Sequence, residues 1–257
     1  MIKKIRDIIK KTQLKPIVIW LILTYHELRS PNRNHVFRQT MKKILNNPQC
    51  LYSDKILSDL SWGWGNEKYS ASIEYLKDCI EYVKQSKFPI LECGSGLTTI
   101  VAGLIAQKQS KTIWSLEHTN LWYKKTLKYL NKYHIDSVKL LYCPSVDYSA
   151  FSWIESVKLH RLPPLDRGIL SWYDVPFSLM PDKFSLVICD GHPGGNMGGQ
   201  YCIFPIMKQR FISGGVILFD FADRENEEAN MSGWAKELNM SFEIRGKKNP
   251  YYVIKLK

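Results

Sequence analysis

Two acids and two glycines, spaced as in a nucleotide-binding site, are the residues of this chain best suited to chemistry. Glu92 closes an apolar run and is followed by Gly94 and Gly96, after which an apolar helical pattern begins. Glycines let a loop turn sharply and approach a ligand closely, and the free N–H groups at the start of a helix point into the same space. A second strand-like run ends in Glu117, at about the 20-residue separation that places an acid on a ribose hydroxyl. The pattern predicts a strand, a glycine loop and a helix around a nucleotide-like cofactor.

The loop departs from the dinucleotide fingerprint, because Thr99 stands where that fingerprint has its third glycine. An acid two residues before the first glycine instead resembles the acid-x-Gly-x-Gly motif of class I S-adenosylmethionine-dependent methyltransferases. The resemblance implies that the loop lies against the methionine part of S-adenosylmethionine and that Glu117 holds the ribose hydroxyls. The cofactor-binding residues it indicates are Glu92, Gly94, Ser95, Gly96, Thr98, Glu117, His118 and Asp190. The alternative is a Rossmann-like domain whose site is empty or used differently.

The predicted fourth and fifth strands, 184–189 and 215–219, also end in polar residues. Ligands of open α/β sheets bind beyond the carboxyl ends of the strands, so these positions are site candidates. Asp190-Gly-His-Pro-Gly and Asp220-Phe-Ala-Asp-Arg are similar to Asp-Gly-Pro-Pro-Gly and Asp-Asp-Ala-x-Arg of a group of small class I methyltransferases. This chain differs from that group at His192 and Phe221. The resemblance covers the chain from about residue 55 to the end.

Asp190 and His192 are the candidate catalytic residues. Methyl transfer from a sulfonium is a direct displacement, and an oxygen nucleophile usually also loses a proton, which an imidazole can accept near neutral pH. Alternatively, Asp190 only forms a turn before a glycine and His192 only packs. Catechol-type O-methyltransferases hold magnesium where Asp190 and Asp220 stand, and oxygen ligands suit this metal. Because Phe221 interrupts their Asp/Asn pair, magnesium is conceivable but not favoured, and no metal ligand is assigned.

Composition limits the class of partner and the compartment. The net charge of +12 and the pI near 9.3 suit nucleic acid, an anionic membrane surface or an acidic substrate. No RNA-binding motif accompanies the charge, so we expect a small-molecule substrate and no nucleic-acid partner. The six cysteines show neither Cys-x-x-Cys nor Cys/His metal spacing, and buried thiols in a reduced cytosol explain them best. We therefore expect a cytoplasmic protein.

The N-terminal residues allow two interpretations. Isoleucines recur at helical spacing among lysines in residues 1–12, and residues 17–23 are apolar but too few to span a bilayer. The segment is either a helix packed on the domain or a basic amphipathic anchor that gives peripheral membrane contact. Further along, residues 36–47 have a helical pattern, and the glycine- and tryptophan-rich stretch 60–67 is typical of a loop.

From Pro89 onward, strands and helices alternate, which predicts an α/β fold. We expect a Rossmann-like, doubly wound, mostly parallel sheet with a C-terminal antiparallel strand, because strands 241–245 and 251–256 are too close to be joined in parallel. An N-terminal helical extension, 1–54, precedes a methyltransferase-like domain, 55–257. The pattern also predicts helices at 204–212 and 225–238. An irregular insertion, 144–182, interrupts it and is expected to border the mouth of the site. Aromatic residues could wall a substrate site or cover a sheet edge, and these are Trp62, Trp64, Tyr69, Trp153, Trp172 and Tyr173.

These observations favour a methyltransferase acting on a small molecule, at oxygen. A nucleic-acid methyltransferase is the first alternative, although Asp190-Gly-His-Pro does not match the Asn/Asp-Pro-Pro-aromatic tetrad of amino-methylating enzymes. A non-catalytic Rossmann-like scaffold with membrane contact is the second. The sequence names neither the methyl acceptor nor the oligomeric state.

Overall fold

A computed structural model describes residues 31–65, 70–87, 89–147, 171–191, 202–220, 222, 231–235 and 240–257. His192, Phe221 and the N-terminal isoleucine and lysine pattern lie outside these residues, as do Tyr69 and Trp153. The chain divides into two compact units between Ser70 and Ala71. The predicted domain boundary after residue 54 stays a prediction.

The described part of the first unit contains two helices, α1 (Pro31–Asn46) and α2 (Asp54–Trp64), joined through a 3-10 turn, Pro48–Tyr52. The predicted helix at 36–47 is confirmed and begins earlier. The loop predicted at 60–67 is wrong for residues 60–64, which form the end of α2. The helix continues through Gly63 because this glycine lets α2 approach α1 closely. A Cβ atom on Gly63 would lie 2.8 Å from Cβ of Phe37. Contact with a neighbouring helix thus outweighs the low helix propensity of glycine.

The second unit is built on a seven-stranded sheet of order β3-β2-β1-β6-β7-β9-β8, in which β9 alone runs antiparallel to its neighbours. This confirms the predicted α/β, Rossmann-like, doubly wound fold with its C-terminal antiparallel strand. The central strands β1 and β6 are short apolar runs with buried residues along both faces, as parallel strands between helices require. The nine strands among the described residues of this unit are β1 (Ile90–Cys93), β2 (Ile113–Glu117), β3 (Val138–Tyr142), β4 (Ser145–Asp147), β5 (Ser171–Tyr173), β6 (Phe184–Cys189), β7 (Phe211–Phe219), β8 (Ser241–Arg245) and β9 (Tyr251–Lys255).

Helices connect and flank these strands. They are α3 (Ile73–Gln85), α4 (Leu97–Lys108), α5 (Asn120–Lys132) and α6 (Ile203–Met207), and residues 231–235, the described part of the predicted helix 225–238, are also helical. The Oγ of Ser72 caps α3 by accepting a hydrogen bond from the backbone N–H of Tyr75 at 3.1 Å. Helix α4 is buried from Leu97 to Ala106, so it lies inside the domain directly after the glycine loop. None of the helices in the described ranges is long and apolar enough to cross a membrane.

In the second unit, two further segments differ from the sequence prediction. The helix predicted at 204–212 is shorter in the structure, where α6 is followed by a 3-10 turn, Lys208–Arg210. It cannot continue to residue 212, because Phe211 is the first residue of β7 and pairs with Phe184 of β6. The insertion 144–182 is not irregular throughout, since β4 and β5 form a separate two-stranded antiparallel sheet. Both differences arise from pairing between distant residues, which local periodicity does not contain.

Candidate functional site

The carboxyl ends of β1, β6 and β7 continue as one row of polar and small residues. The backbone N–H of Asp190 donates to the carbonyl of Cys93 at 3.0 Å, and that of Asp220 donates to the carbonyl of Cys189 at 2.9 Å. The N–H of Gly94 donates to Leu116 of β2 at 2.9 Å. The parallel ladder therefore extends one residue past the strands and brings Gly94, Asp190 and Asp220 side by side. Glu117, the last residue of β2, lies at the same edge of the sheet.

The strand order reverses between β1 and β6, and at this switch point two glycine backbones are in contact. A Cβ on Gly94 would lie 2.4 Å from Cα of Gly191, and a Cβ on Gly191 would lie 2.3 Å from Cα of Gly94. Gly94 also has a φ of +93°, which residues other than glycine rarely adopt. Open α/β sheets bind ligands at this point. Sequence reasoning did not select Gly191, although its place directly after Asp190 was a signal.

Gly96 differs from Gly94 in both conformation and surroundings. Its φ of 175° is extended backbone, so the sharp turn of the loop comes from Gly94 alone. A Cβ on Gly96 would meet no heavy atom of the described residues within 4 Å. Gly96 is the residue before the first turn of α4, where backbone N–H groups face outward. The open space at this helix start is therefore suited to a ligand.

Glu92 is turned into the protein rather than toward this space. Its side chain is fully buried, and its Oε2 accepts hydrogen bonds from Thr99 Oγ1 at 2.7 Å and Ser115 Oγ at 2.5 Å. The same Thr99 hydroxyl accepts the backbone N–H of Gly96 at 2.8 Å. Glu92 thus fixes the glycine loop through Thr99. This is a different contact from the one the motif resemblance implies, and neither Thr99 nor Ser115 was predicted as a site residue.

Burial raises the pKa of the Glu92 carboxyl from 4.5 to about 7, although the hydrogen bonds from Ser115 and Thr99 oppose the increase. The negative charge of Glu117 adds a small further increase in this pKa. Oε1 of Glu92 and Oγ1 of Thr98 are buried and make no hydrogen bond of ordinary geometry within the described part of the chain. Glu92 therefore changes its protonation state near neutral pH, directly behind the loop.

Glu117, at the end of β2, binds the glycine loop through Ser95. Its side chain is 3% exposed, and its Oε2 accepts hydrogen bonds from the backbone N–H of Ser95 at 3.0 Å and from Ser95 Oγ at 2.8 Å. Its Oε1 accepts the N–H of Thr119 at 2.7 Å. Ser95 Oγ lies 3.2 Å from Thr126 Oγ1 of α5. The two predicted residues Ser95 and Glu117 are thus brought together, and a carboxylate, with about four acceptor positions, keeps roughly one unused.

His118 and the Tyr173 side chain lie next to Glu117. His118 Nδ1 is 3.5 Å from Glu117 Oε1, and its Nε2 is 3.1 Å from the Thr119 hydroxyl. Burial lowers the pKa of this imidazole, and the Glu117 charge opposes the decrease. The rings of His118 and Tyr173 meet edge to face, with centroids 5.9 Å apart. The insertion therefore reaches the strand ends, as its position in the sequence predicted.

Asp190 is half-buried at the end of β6, whereas Asp220 is 3% exposed. Below them, the buried hydroxyl of Tyr75 lies 3.4 Å from the carbonyl of Cys189 and 3.2 Å from that of Leu218, so α3 supports both strand ends. His192 falls outside the described residues. Within those residues, no group of three or more His, Cys, Asp or Glu side chains could hold a metal ion.

Comparison of the sequence with protein-family models and with curated proteins finds no match. Solved structures are similar in fold. An O-methyltransferase from Bacillus cereus in complex with SAH has a TM-score of 0.51 and 11% identity, over 85% of this chain and 91% of that chain. A putative caffeoyl-CoA O-methyltransferase from Staphylococcus aureus has the same TM-score and identity, over 84% and 98%. A SAH-bound methyltransferase from Podospora anserina has a TM-score of 0.50 and 13% identity, over 94% and 96%. These structures show that the chain has the fold of class I methyltransferases.

Proposed function

We propose that this chain is an S-adenosylmethionine-dependent methyltransferase that modifies a small molecule at oxygen. The observation that carries the proposal is the pair of Ser95 and Glu117 at the carboxyl ends of β1 and β2, beside the open space at Gly96. A carboxylate at the end of the second strand and a glycine loop at the end of the first are the parts that a ribose-containing cofactor needs.

The residues present fit this cofactor in two respects. The space in front of Gly96 lies at the start of α4, where backbone N–H groups can bind a carboxylate such as that of the cofactor's methionine part. Glu117 can accept ribose hydroxyls with its remaining acceptor position, and with a second one once Ser95 Oγ rotates toward Thr126. Glu92 would act behind the loop by holding Thr99, and through it Gly96, in place.

The bound cofactor would supply a methyl group on a positively charged sulfur. The protein must then align the acceptor oxygen and remove its proton. Asp190 is suited to this task because it lies beside Gly94 at the switch point, with its backbone bonded to β1. His192, two residues later, is the proposed proton acceptor, and Asp190 would orient it or the acceptor. The similar folds of the O-methyltransferase from Bacillus cereus and the putative caffeoyl-CoA O-methyltransferase from Staphylococcus aureus support an oxygen acceptor.

The proposal is tested by titration calorimetry with S-adenosylhomocysteine. We expect the wild-type protein to bind it and Glu117→Gln to bind it more weakly by roughly 1.5–3 kcal/mol, the range for hydrogen bonds to charged groups. Glu81→Gln is the matched control, because Glu81 forms a half-exposed pair with Lys84 on α3. Equal affinity of wild type and a folded Glu117→Gln would contradict the proposed site.

The two alternative functions give different results in simple binding experiments. A scaffold would not bind S-adenosylhomocysteine at all. A nucleic-acid methyltransferase would bind both this ligand and RNA, with an RNA affinity that falls steeply as salt rises. Binding of S-adenosylhomocysteine without RNA binding supports the small-molecule enzyme.

A further inference from the structure

Tyr173, the last residue of β5, is fully buried and reaches the switch point from the insertion. Its strand pairs with β4 in antiparallel register, with Tyr173 opposite Ser145, directly after the end of β3. The Tyr173 hydroxyl lies 2.7 Å from the position that a Cβ on Gly191 would occupy. The phenol therefore lies against the contact of Gly191 with Gly94.

Groups from three strand ends surround this phenol. Burial raises the pKa of Tyr173, and nearby Cys93, Glu117, Cys189 and Asp190 raise it further. These residues end β1, β2 and β6, or directly follow them. The side of the ring contacts the His118 imidazole. The Tyr173 side chain of the insertion thus lies close to the contact of Gly94 with Gly191. It is also close to Glu117, the proposed ribose-binding residue, and to Asp190, a proposed catalytic residue.

We propose that the two-stranded sheet of β4 and β5 is part of the cofactor site and that Tyr173 is a positioning residue in it. Its hydroxyl packs against the Gly191 side of the switch point, and its ring shields Glu117 and His118 from water. The inference rests on the proposed function, because it assigns Tyr173 a task in the same site. The physical reason is that hydrogen bonds to a carboxylate are stronger where water is excluded.

The competing explanation is that Tyr173 only fills the core. In that case its replacement would lower the stability of the domain without changing the site. Phe184 offers a matched comparison, because it belongs to the same buried apolar cluster but lies at the opposite end of β6. Tyr173→Leu and Phe184→Leu both replace a buried aromatic ring by an aliphatic side chain, whereas Tyr173→Phe removes only the hydroxyl.

Two measurements test the proposal on the full chain. In calorimetry, we expect Tyr173→Phe to weaken S-adenosylhomocysteine binding by roughly two- to tenfold, because the loss of the hydroxyl loosens its contact with Gly191. Tyr173→Leu should weaken it more than tenfold, and Phe184→Leu should leave it unchanged. In NMR titrations without ligand, Tyr173→Leu should raise the pKa of His118 toward its ordinary value of 6.5, because the imidazole becomes more solvated. Glu117, the charged group that faces His118, is retained in every variant.

The outcomes separate this inference from the proposed function. If wild type does not bind S-adenosylhomocysteine, the proposed function fails. If the pKa of His118 is also the same in wild type and Tyr173→Leu, the role of Tyr173 is overturned as well. If wild type binds the ligand and both Tyr173 variants bind it equally well, only the role of Tyr173 is overturned. Should Tyr173→Leu not fold, the affinity of Tyr173→Phe decides.

Discussion

Gly94 and Gly191 face each other across the switch point of the sheet so closely that neither position has room for a side chain. Each Cβ would come within 2.4 Å of the partner's Cα, which is backbone that cannot move aside. The two residues follow β1 and β6, the strands between which the chain order reverses. Their contact therefore determines how near a cofactor can come to the strand ends.

Gly94→Ala should lower the free energy of unfolding by roughly 2–4 kcal/mol, because it adds an unfavourable φ to a backbone clash. Gly191→Ala should cost a similar amount through the clash with Gly94 and the Tyr173 hydroxyl. Urea denaturation measures both changes. Wild-type stability in either variant would show that the two loops separate easily.

Gly96→Ala should weaken ligand binding and leave the stability of the domain nearly unchanged. The backbone is extended and the surrounding space is open, so we expect the free energy of unfolding to stay within about 1 kcal/mol of wild type. Affinity for S-adenosylhomocysteine should fall roughly 5- to 150-fold, the equivalent of about 1–3 kcal/mol of overpacking against the ligand. Unchanged affinity would mean that the ligand does not use this space.

Glu92 should make the stability of the domain depend on pH. Its folded-state pKa, about 7, is above its ordinary value of 4.5, so between these pH values the folded protein keeps a proton that the unfolded chain has released. Stability is therefore expected to fall as pH rises through this range, by up to roughly 3 kcal/mol, and to level off above pH 7. Glu92→Gln removes this contribution, so the difference in unfolding free energy between wild type and the variant should change between pH 5 and pH 8. A pH-independent difference would contradict the raised pKa.

His192→Ala should lower turnover by roughly 10²–10⁴ and leave S-adenosylhomocysteine affinity nearly unchanged, because a general base acts on the acceptor and not on the cofactor. The wild-type rate should rise with pH through the titration of the imidazole, since only its neutral form accepts a proton. Asp190→Asn should be equally damaging. Full activity of His192→Ala would move the search for a base to Asp220, Asp223 or the acceptor itself.

Turnover should survive treatment with a magnesium chelator. Asp190 and Asp220 follow neighbouring strands, but Phe221 stands where catechol-type O-methyltransferases have the second residue of their Asp/Asn pair. Loss of activity on chelation and its recovery with added magnesium would instead establish a metal-dependent reaction.

The amino-acid sequence by itself determined the order of the strands and helices that form the main sheet, although not every boundary and not the β4–β5 sheet. The apolar runs ending in Glu92, Glu117 and Asp190 predict strands whose carboxyl ends share one edge, since this follows from local periodicity and from the rule for parallel sheets. The sequence also located the glycine loop and the start of α4, because glycines and an apolar helix leave a local pattern.

Tertiary structure alone decided what each residue of the site touches. Glu92 turns inward because Ser115 and Thr99 offer it hydroxyl groups, and those come from a neighbouring strand and helix. Gly191 contacts Gly94 across almost a hundred positions of the chain, and Tyr173 reaches Gly191 from the insertion. Such contacts depend on how strands pair and in which register, and no local spacing of residue types contains this information.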